Sequence, residues 1–288
     1  MSPQVHTKSF AEGDRVWLPA SEVRKHRQDF EPVHAGAMVE GKLAGRVGAL
    51  VRGIPRTWHV DVSGVHDAAG TQEPLPVSSR HFRRHAKILI VRIGDWETEH
   101  PTLNPLASSL KAQLSLLLPP GDVEVEYIRT LHELAGVLRL HGGGLAPTGR
   151  RQAHPWGYAV LVGHGRAGTS PGIRFGDEWH SPRKIAAAIK GLGPGARTFS
   201  EARFISLCCE TGEASFARAF TKELHTAWVA PGDAVHSFEA AGYVQRVFFE
   251  HFLAGETWSR AFRKTSKATE DYSTSFRCWL NGEEVIRV

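Results

Sequence analysis

Two short apolar runs, YAVLVGHG (158–165) and FISLCCETG (204–212), constrain the fold of this chain more than any other stretch. Each has the length of a strand and the continuous apolar character of strands buried on both faces of a parallel sheet. The first ends in His164, and the second ends in the adjacent Cys208 and Cys209. Reactive groups gather where the carboxyl ends of such strands meet, so the sequence predicts an imidazole and a thiol at one edge of a sheet.

An imidazole beside a thiol is what a cysteine nucleophile requires. A free thiol titrates near pH ~8.5, so a neighbouring base such as His164 is needed to generate the thiolate at neutral pH. Gly165 leaves its backbone N–H unobstructed, and this amide with the amide of the cysteine itself would form an oxyanion hole. Gly163 would let a substrate chain approach closely. The alternative is that the histidine and the cysteine pair are packed core residues.

The pattern around these runs predicts an α/β sheet. From Lys87, KILIVRIG and VEVEYI read as strands, and each is followed by a segment with helical spacing, with Asn104 and Thr130 as the N-caps. Strand and helix alternating in this way are typical of a parallel sheet built from βαβ units. Farther on, the GD of IRFGDEWH predicts a hairpin, and Ser181 followed by Pro182 predicts a helix start.

The first part of the chain has a different pattern. Short stretches rich in Val, Trp and Thr, such as GDRVWLP and TWHVDV, are punctuated by Gly and Pro and lack a helical period. We therefore predict a small β-rich domain over residues 1–84, with the loose character of an SH3-like barrel, and an α/β domain over residues 85–288.

Composition excludes several classes of protein. With 41% hydrophobic and 23% charged residues the chain is globular, and no apolar run reaches the ~18 residues of a membrane span. The N-terminus lacks the apolar core of a signal peptide, so we expect a cytoplasmic protein. Three cysteines, two of them adjacent, fit a reducing compartment, and no CxxC or His-rich spacing predicts a metal. We expect no cofactor.

A net charge of +5 makes nucleic acid a possible partner. Basic residues cluster at 24–27 and in the run 78–87, but a charge run is more often a solvated face, and no nucleic-acid module accompanies it. Nucleic acid is therefore not the favoured partner.

Several phrases taken together resemble the CHAT branch of the caspase-like cysteine peptidases, to which separase belongs. They are VGHG, IRFGDEW, SPRKIAAAI, ISLCCETG and AAGYVQRVFFEHFLAGETWSRAFRKT, and they extend over residues 86–280. The resemblance implies a caspase-like, mostly parallel sheet flanked by helices. It also implies that Cys209 is the nucleophile, because Glu210, Thr211 and Gly212 follow it as in the family, whereas Cys208 stands where a small residue is usual.

The resemblance implies a cysteine endopeptidase in which His164 activates Cys209 and the amides of Gly165 and Cys209 hold the oxyanion. In relatives, loops near the nucleophile form the pocket for the residue before the cut bond. Here the acidic residues in such positions are Asp95, Asp177, Glu210 and Asp233. A carboxylate pairs well with a guanidinium, so we expect cleavage of protein substrates after a basic residue.

The resemblance also implies regulation. Relatives serve as effectors of bacterial stress or antiviral defence, so we expect activity to be gated, with the N-terminal domain as the place where a regulatory protein or ligand acts. Two alternatives remain open: a catalytically silent scaffold that binds a partner, and a nucleic-acid-binding adaptor that uses the basic run 78–87.

Overall fold

The computed structural model describes residues 87–99, 101–115, 118, 121–141, 156–191, 203–253 and 256–286, and before residue 87 the backbone of five strands. The chain divides into two compact units. The five early strands belong to the first, and residues 86–251 and 256–288 belong to the second.

The first unit contains an antiparallel sheet of five strands in the order β4-β3-β2-β1-β5. The strands are β1 (Arg15–Leu18), β2 (Arg46–Ile54), β3 (Thr57–Val62), β4 (Leu75–Ser78) and β5 (Arg83–Arg84). Closure into an SH3-like barrel stays a prediction, because the connecting residues lie outside the described part of the chain. The basic residues 24–27, and the side chains of the run 78–87 before Lys87, also lie outside it.

The remaining elements lie after residue 86 in the chain. In chain order they are β6 (Lys87–Ile93), α1 (Leu103–Ser115), β7 (Val123–Ile128), α2 (Leu131–His141), β8 (Trp156–Val162), β9 (Gly165–Arg166), β10 (Gly172–Phe175), β11 (Glu178–His180), α3 (Pro182–Lys190), β12 (Arg203–Ser206), α4 (Ala214–Leu224), β13 (Ala227–Pro231), α5 (Ser237–Phe248), a π-helix (Phe249–Leu253), α6 (Trp258–Ala268), β14 (Phe276–Leu280) and β15 (Glu283–Ile286).

Seven of these strands form the central sheet, in the order β15-β14-β13-β12-β8-β6-β7. The strands from β7 to β13 in this order are parallel, and β14 and β15 are antiparallel additions at one edge. The predicted α/β class with a mostly parallel sheet flanked by helices is confirmed. A separate three-stranded antiparallel sheet has the order β11-β10-β9.

Both faces of the central sheet are covered, which explains the continuous apolar runs. Leu89, Val91 and Leu161 lie in a core cluster that also contains residues of α2, α3 and α4. Side chains alternate along a strand, so Ile88 and Ile90 face the other side. They too are fully buried. Helix α1 contacts β6 and packs against α5, which in turn packs against α6.

Local sequence signals place two helix starts correctly and one incorrectly. The Thr130 hydroxyl accepts from the Glu133 N–H, and the Ser181 hydroxyl accepts from the Lys184 N–H, so both are N-caps. Asn104 is not an N-cap, because α1 begins at Leu103. Its side-chain amide instead donates to the carbonyl of Trp96, which fixes the loop before the helix. No helix in the described residues is long and apolar enough to cross a membrane.

Candidate active site

The structure brings the two predicted strand ends to the same edge of the central sheet. Strands β8 and β12 are parallel neighbours, and Leu161 pairs with Ser206. His164 and Cys209 each lie three residues beyond this pair in the chain. The matched register therefore puts the imidazole-bearing turn beside the thiol-bearing turn.

The two turns are in direct contact. A Cβ atom added to Gly165 would lie only 2.3 Å from the carbonyl oxygen of Cys209, so no larger residue fits there without a backbone shift. A second link joins the same loops, because the Ala167 N–H donates to the Glu210 carboxylate at 2.8 Å. The glycine after the histidine is thus required by the close approach of the two turns.

His164 is held by a buried carboxylate that sequence reasoning missed. Its Nε2 atom lies 2.9 and 2.8 Å from the two carboxylate oxygens of Glu99. The Glu99 side chain is 4% exposed, whereas that of His164 is 39% exposed. Arg174, on β10, donates to the same carboxylate at 2.8 Å. A carboxylate only accepts hydrogen bonds, so the Nε2 atom of His164 carries a hydrogen. The Nδ1 atom of the ring remains available to accept or donate a proton.

The loop after β6 is built to present Glu99. Gly94 has a φ of +134°, and a Cβ there would lie 2.9 Å from the Glu99 side chain. The buried Arg92 donates to the carbonyls of Gly94 and Asp95, and the Asp95 carbonyl also accepts the Glu99 N–H. Because this loop follows the strand next to β8, its position is a signal for Glu99 that the sequence carries, although the expectation for this loop falls on Asp95.

The three thiols differ sharply in environment. Cys208 and Cys278 are buried, and burial raises the pKa of each thiol to about 12. Cys209 is partly exposed, and its Sγ accepts the backbone N–H of Val235 at 3.4 Å. Of the two adjacent cysteines, Cys209 is therefore the one suited to reaction with an external electrophile.

The turn that carries Cys209 is fixed by the strand beside it. Glu210 has a φ of +59°, an uncommon conformation for a residue other than glycine, and its N–H donates to the carbonyl of Asp233. The N–H of Gly212 donates to the carbonyl of Pro231 at 2.7 Å. A Cβ on Gly212 would lie 2.3 Å from the Ala230 carbonyl oxygen, so the glycine is required here as well.

Two backbone amides in the site are not used by the local backbone hydrogen bonding. Arg174 N–H donates to the His164 carbonyl, which makes Gly165 and Ile173 a non-hydrogen-bonded pair of the β9–β10 ladder. The N–H of Gly165 therefore points away from β10. In the described part of the chain, the Cys209 N–H has no hydrogen-bond acceptor. Neither amide therefore has a hydrogen-bond acceptor among the described residues.

The four acidic residues expected near a substrate pocket have different positions. Glu210 lies next to Cys209 and binds the Ala167 N–H, and the exposed Asp233 lies in the loop that supplies Val235. Asp233 accepts a hydrogen bond from Ser275. Asp95 forms an ion pair with Arg129 at 3.4 Å, and the exposed Asp177 lies at the turn of the β10–β11 hairpin. Glu210 belongs to the Cys209 turn, and Asp233 contacts that turn because its carbonyl accepts the N–H of Glu210.

Gly163 has a different role from the one expected. A Cβ at this position would lie 3.2 Å from the Ile93 side chain and 3.4 Å from the sulfur of Cys208. The glycine therefore allows the interior to pack and does not open a path for substrate. Among the described residues, no group of three or more His, Cys, Asp or Glu side chains is arranged to hold a metal ion.

Comparison with known proteins gives a likeness in structure and none in sequence. No family model matches the chain. No curated protein matches it either. A solved structure of a secreted C11 cysteine protease from Bacteroides thetaiotaomicron, "iotapain", is similar to this chain with a TM-score of 0.43 and 10% sequence identity. The likeness covers 68% of this chain and 66% of that protein, just under two thirds of its length.

Proposed function

We propose that this chain is a cysteine endopeptidase in which His164 and Cys209 act together on a peptide carbonyl. The observation that supports this most strongly is the pairing of one partly exposed thiol with one anchored imidazole. Cys209 is the only one of the three cysteines that is not buried. His164 lies at the same sheet edge, with Nε2 fixed by the buried Glu99.

The proposed role of each atom follows from this arrangement. With Nε2 donating to Glu99, Nδ1 accepts the proton of the Cys209 thiol, and the thiolate forms a bond to the scissile carbonyl carbon. The imidazolium Nδ1–H then protonates the leaving amine as the C–N bond breaks. Water hydrolyses the thioester, which releases the second product and regenerates the thiol. The carboxylate of Glu99 keeps its partner ring in one orientation throughout.

Backbone amides would stabilise the charge that develops on the carbonyl oxygen. The N–H groups of Gly165 and Cys209 belong to turns that touch each other, and neither is used by the β9–β10 ladder or by the turn after β12. Loss of one oxyanion donor typically costs about 10²-fold to 10³-fold in rate. These two amides are therefore our proposed oxyanion hole.

We propose cleavage after Arg or Lys, chiefly through Asp233 and Glu210. Asp233 is exposed, and its loop supplies the N–H that contacts the sulfur of Cys209. A carboxylate in this position binds a guanidinium with two parallel hydrogen bonds. Asp95 contributes less because Arg129 neutralises it, and Asp177 is a weaker candidate because no contact joins it to the Cys209 turn among the described residues.

The proposed biological role rests on the sequence resemblance. We propose a CHAT-like peptidase that acts in the cytoplasm as a stress or antiviral effector and is gated by a protein partner or ligand through the N-terminal unit. Gating is expected because an unrestrained protease would damage its own cell.

A peptide electrophile tests the activity and the specificity together. We would treat the full chain with acyloxymethyl ketone peptides ending in Arg, Lys or Asp and measure labelling by intact mass. We expect an adduct with the Arg and Lys probes only, lost in Cys209→Ala and His164→Ala and retained in Cys208→Ala. Labelling by the Asp probe alone would refute basic specificity. Labelling that survives Cys209→Ala but not Cys208→Ala would refute the nucleophile assignment.

Gating could suppress labelling by every peptide probe, so a second measurement is needed that does not depend on substrate recognition. Iodoacetamide reacts with any accessible thiolate. We expect selective alkylation of Cys209 at pH 7, slowed in His164→Ala and unchanged in the matched control His132→Ala. Equal alkylation in wild type and His164→Ala, together with no peptide labelling, would indicate the catalytically silent scaffold.

A further inference from the structure

A groove of about 580 Å³ lies between α2 and α3, and none of its lining residues belongs to the candidate active site. Small residues make room for it, among them Ala135 and Gly136 on α2 and Ala188 on α3. A Cβ on Gly136 would have no atom within 4 Å, so the space beside this glycine is open. The volume is within the ~300–1,000 Å³ range of small-molecule sites in proteins.

The charged residues that line the groove are all basic. Arg139 comes from α2 and Lys184 from α3, His132 also lines the space, and none of the described lining residues is acidic. In the described part of the chain, neither Arg139 nor Lys184 has an ion-pair partner. Lys190, on the same helix as Lys184 but outside the groove, does pair with Glu223. The groove therefore combines apolar walls with two unpaired cations from two different helices.

A buried histidine forms part of the wall. His180 is 6% exposed, and its Nδ1 has no hydrogen-bond partner among the described residues. Its Nε2 lies 3.5 Å from the exposed Glu178. Burial, and then the neighbouring Lys184 ammonium, lower the pKa of His180 below its ordinary value. A buried polar atom without a partner destabilises the fold, and this one belongs to a ring that lies near the Lys184 ammonium.

We propose that this groove binds a small organic anion, a molecule with an apolar body and a carboxylate, sulfonate or phosphate group. The apolar walls accept the body, and Arg139 and Lys184 hold the anionic group from both sides. A small molecule fits better than a protein surface, because protein interfaces bury about 800 Å² on each partner. The inference does not depend on the peptidase proposal, since it concerns binding alone.

The site is connected to the histidine turn by backbone pairing. His180 is opposite Ile173 in the β10–β11 ladder, and Ile173 is opposite Gly165 in the β9–β10 ladder. Only two strand pairings therefore separate the groove wall from the residue that follows His164. A ligand in the groove would rest against the same small sheet that carries Arg174, the partner of Glu99.

Two matched fluorescent probes test the proposal on the full chain. One is 8-anilino-1-naphthalenesulfonate, and the other is N-phenyl-1-naphthylamine, which has the same apolar body without the sulfonate. In the double variant Arg139→Ala, Lys184→Ala we expect the affinity for the sulfonate to fall about 10-fold or more, because charge-assisted hydrogen bonds are lost. Affinity for the uncharged probe should stay unchanged, and the matched control Lys190→Ala should affect neither.

A second variant tests the location. Gly136→Leu fills open space and improves helix propensity, so it should fold, which its melting temperature verifies. We expect it to lose binding of both probes. The proposal is overturned if the wild type does not bind the sulfonate or if Gly136→Leu binds it as the wild type does. It is also overturned if the double variant loses both probes equally, because the site would then not select an anion.

Discussion

His164 and His180, at opposite edges of the three-stranded sheet, differ in how the polar atoms around them are hydrogen-bonded. Near His164 the polar groups are partnered: Nε2 binds Glu99, Glu99 also binds Arg174, and the nearby sulfur of Cys209 accepts an N–H. In the described part of the chain, the Nδ1 of His180 has no hydrogen-bond partner, and Arg139 and Lys184, which line the same groove, have no ion-pair partner. Catalytic groups must be held in position before the substrate binds, whereas the charged groups of a binding site can remain without partners until the ligand binds. The following predictions test this contrast.

The largest predicted effect is a difference in hydrolysis rate between alanine variants of the two adjacent cysteines. Cys209→Ala should lower peptide hydrolysis by at least about 10³-fold, because the attacking atom is removed. Cys208→Ala should keep most of the activity and lose stability instead, since its fully buried side chain leaves a small cavity. Initial rates and thermal melting of both variants measure this. Equal loss of activity in the two variants, with both still folded, would contradict the assignment of one reactive and one structural thiol.

The next effect concerns the anchor of His164. Glu99→Gln keeps the shape but removes the charge, and we expect kcat to fall about 10-fold to 100-fold with little change in KM. The matched control is Glu97→Gln, an exposed residue of the same loop. A purely structural role would lower the melting temperature and raise KM without a selective fall in kcat.

Glycines at the two sites should respond in opposite directions. Gly165→Ala places a Cβ against the Cys209 carbonyl oxygen and forces the two turns apart, so hydrolysis and stability should both fall. Gly136→Ala adds a methyl group to open space in a helix and should stabilise the protein by about 1 kcal/mol. Denaturant unfolding of the two variants measures the difference. Unchanged activity in Gly165→Ala would mean that the turns are not in contact.

The smallest effect should come from the cap of α2, the helix that forms one wall of the groove. The Glu133 carboxylate accepts from the N–H groups of Arg129 and Thr130, and these bonds lower its pKa. The stabilisation from the Glu133 charge is therefore fully present at pH values above the ordinary pKa of glutamate, and it is lost as the pH falls through the lowered pKa of Glu133. Thr130→Ala should cost about 1 kcal/mol at pH 7.

The pH dependence checks the same cap. The stability difference between wild type and Glu133→Gln should shrink as the pH is lowered from 7 toward 3. A difference that is constant over this range would show that the Glu133 charge does not contribute.

Much of the fold followed from local pattern. The apolar runs that became β6, β8 and β12 could be identified because strands buried on both faces need continuous apolar residues. Thr130 and Ser181 were identifiable as caps because capping uses groups within the same turn. Asn104 was misassigned because its amide is used by the Trp96 carbonyl, a contact that depends on how the loop before α1 folds.

The sequence by itself determined that a histidine and a cysteine pair end neighbouring strands, because periodicity and chain order carry that information. Tertiary structure alone decided which thiol is exposed, and it supplied Glu99 as the carboxylate that holds His164. Adjacent side chains face different environments, and only packing shows which one is buried. The His164–Glu99 contact joins residues 65 positions apart, and no local pattern encodes a contact between a buried carboxylate and a ring that the folded sheet brings to it.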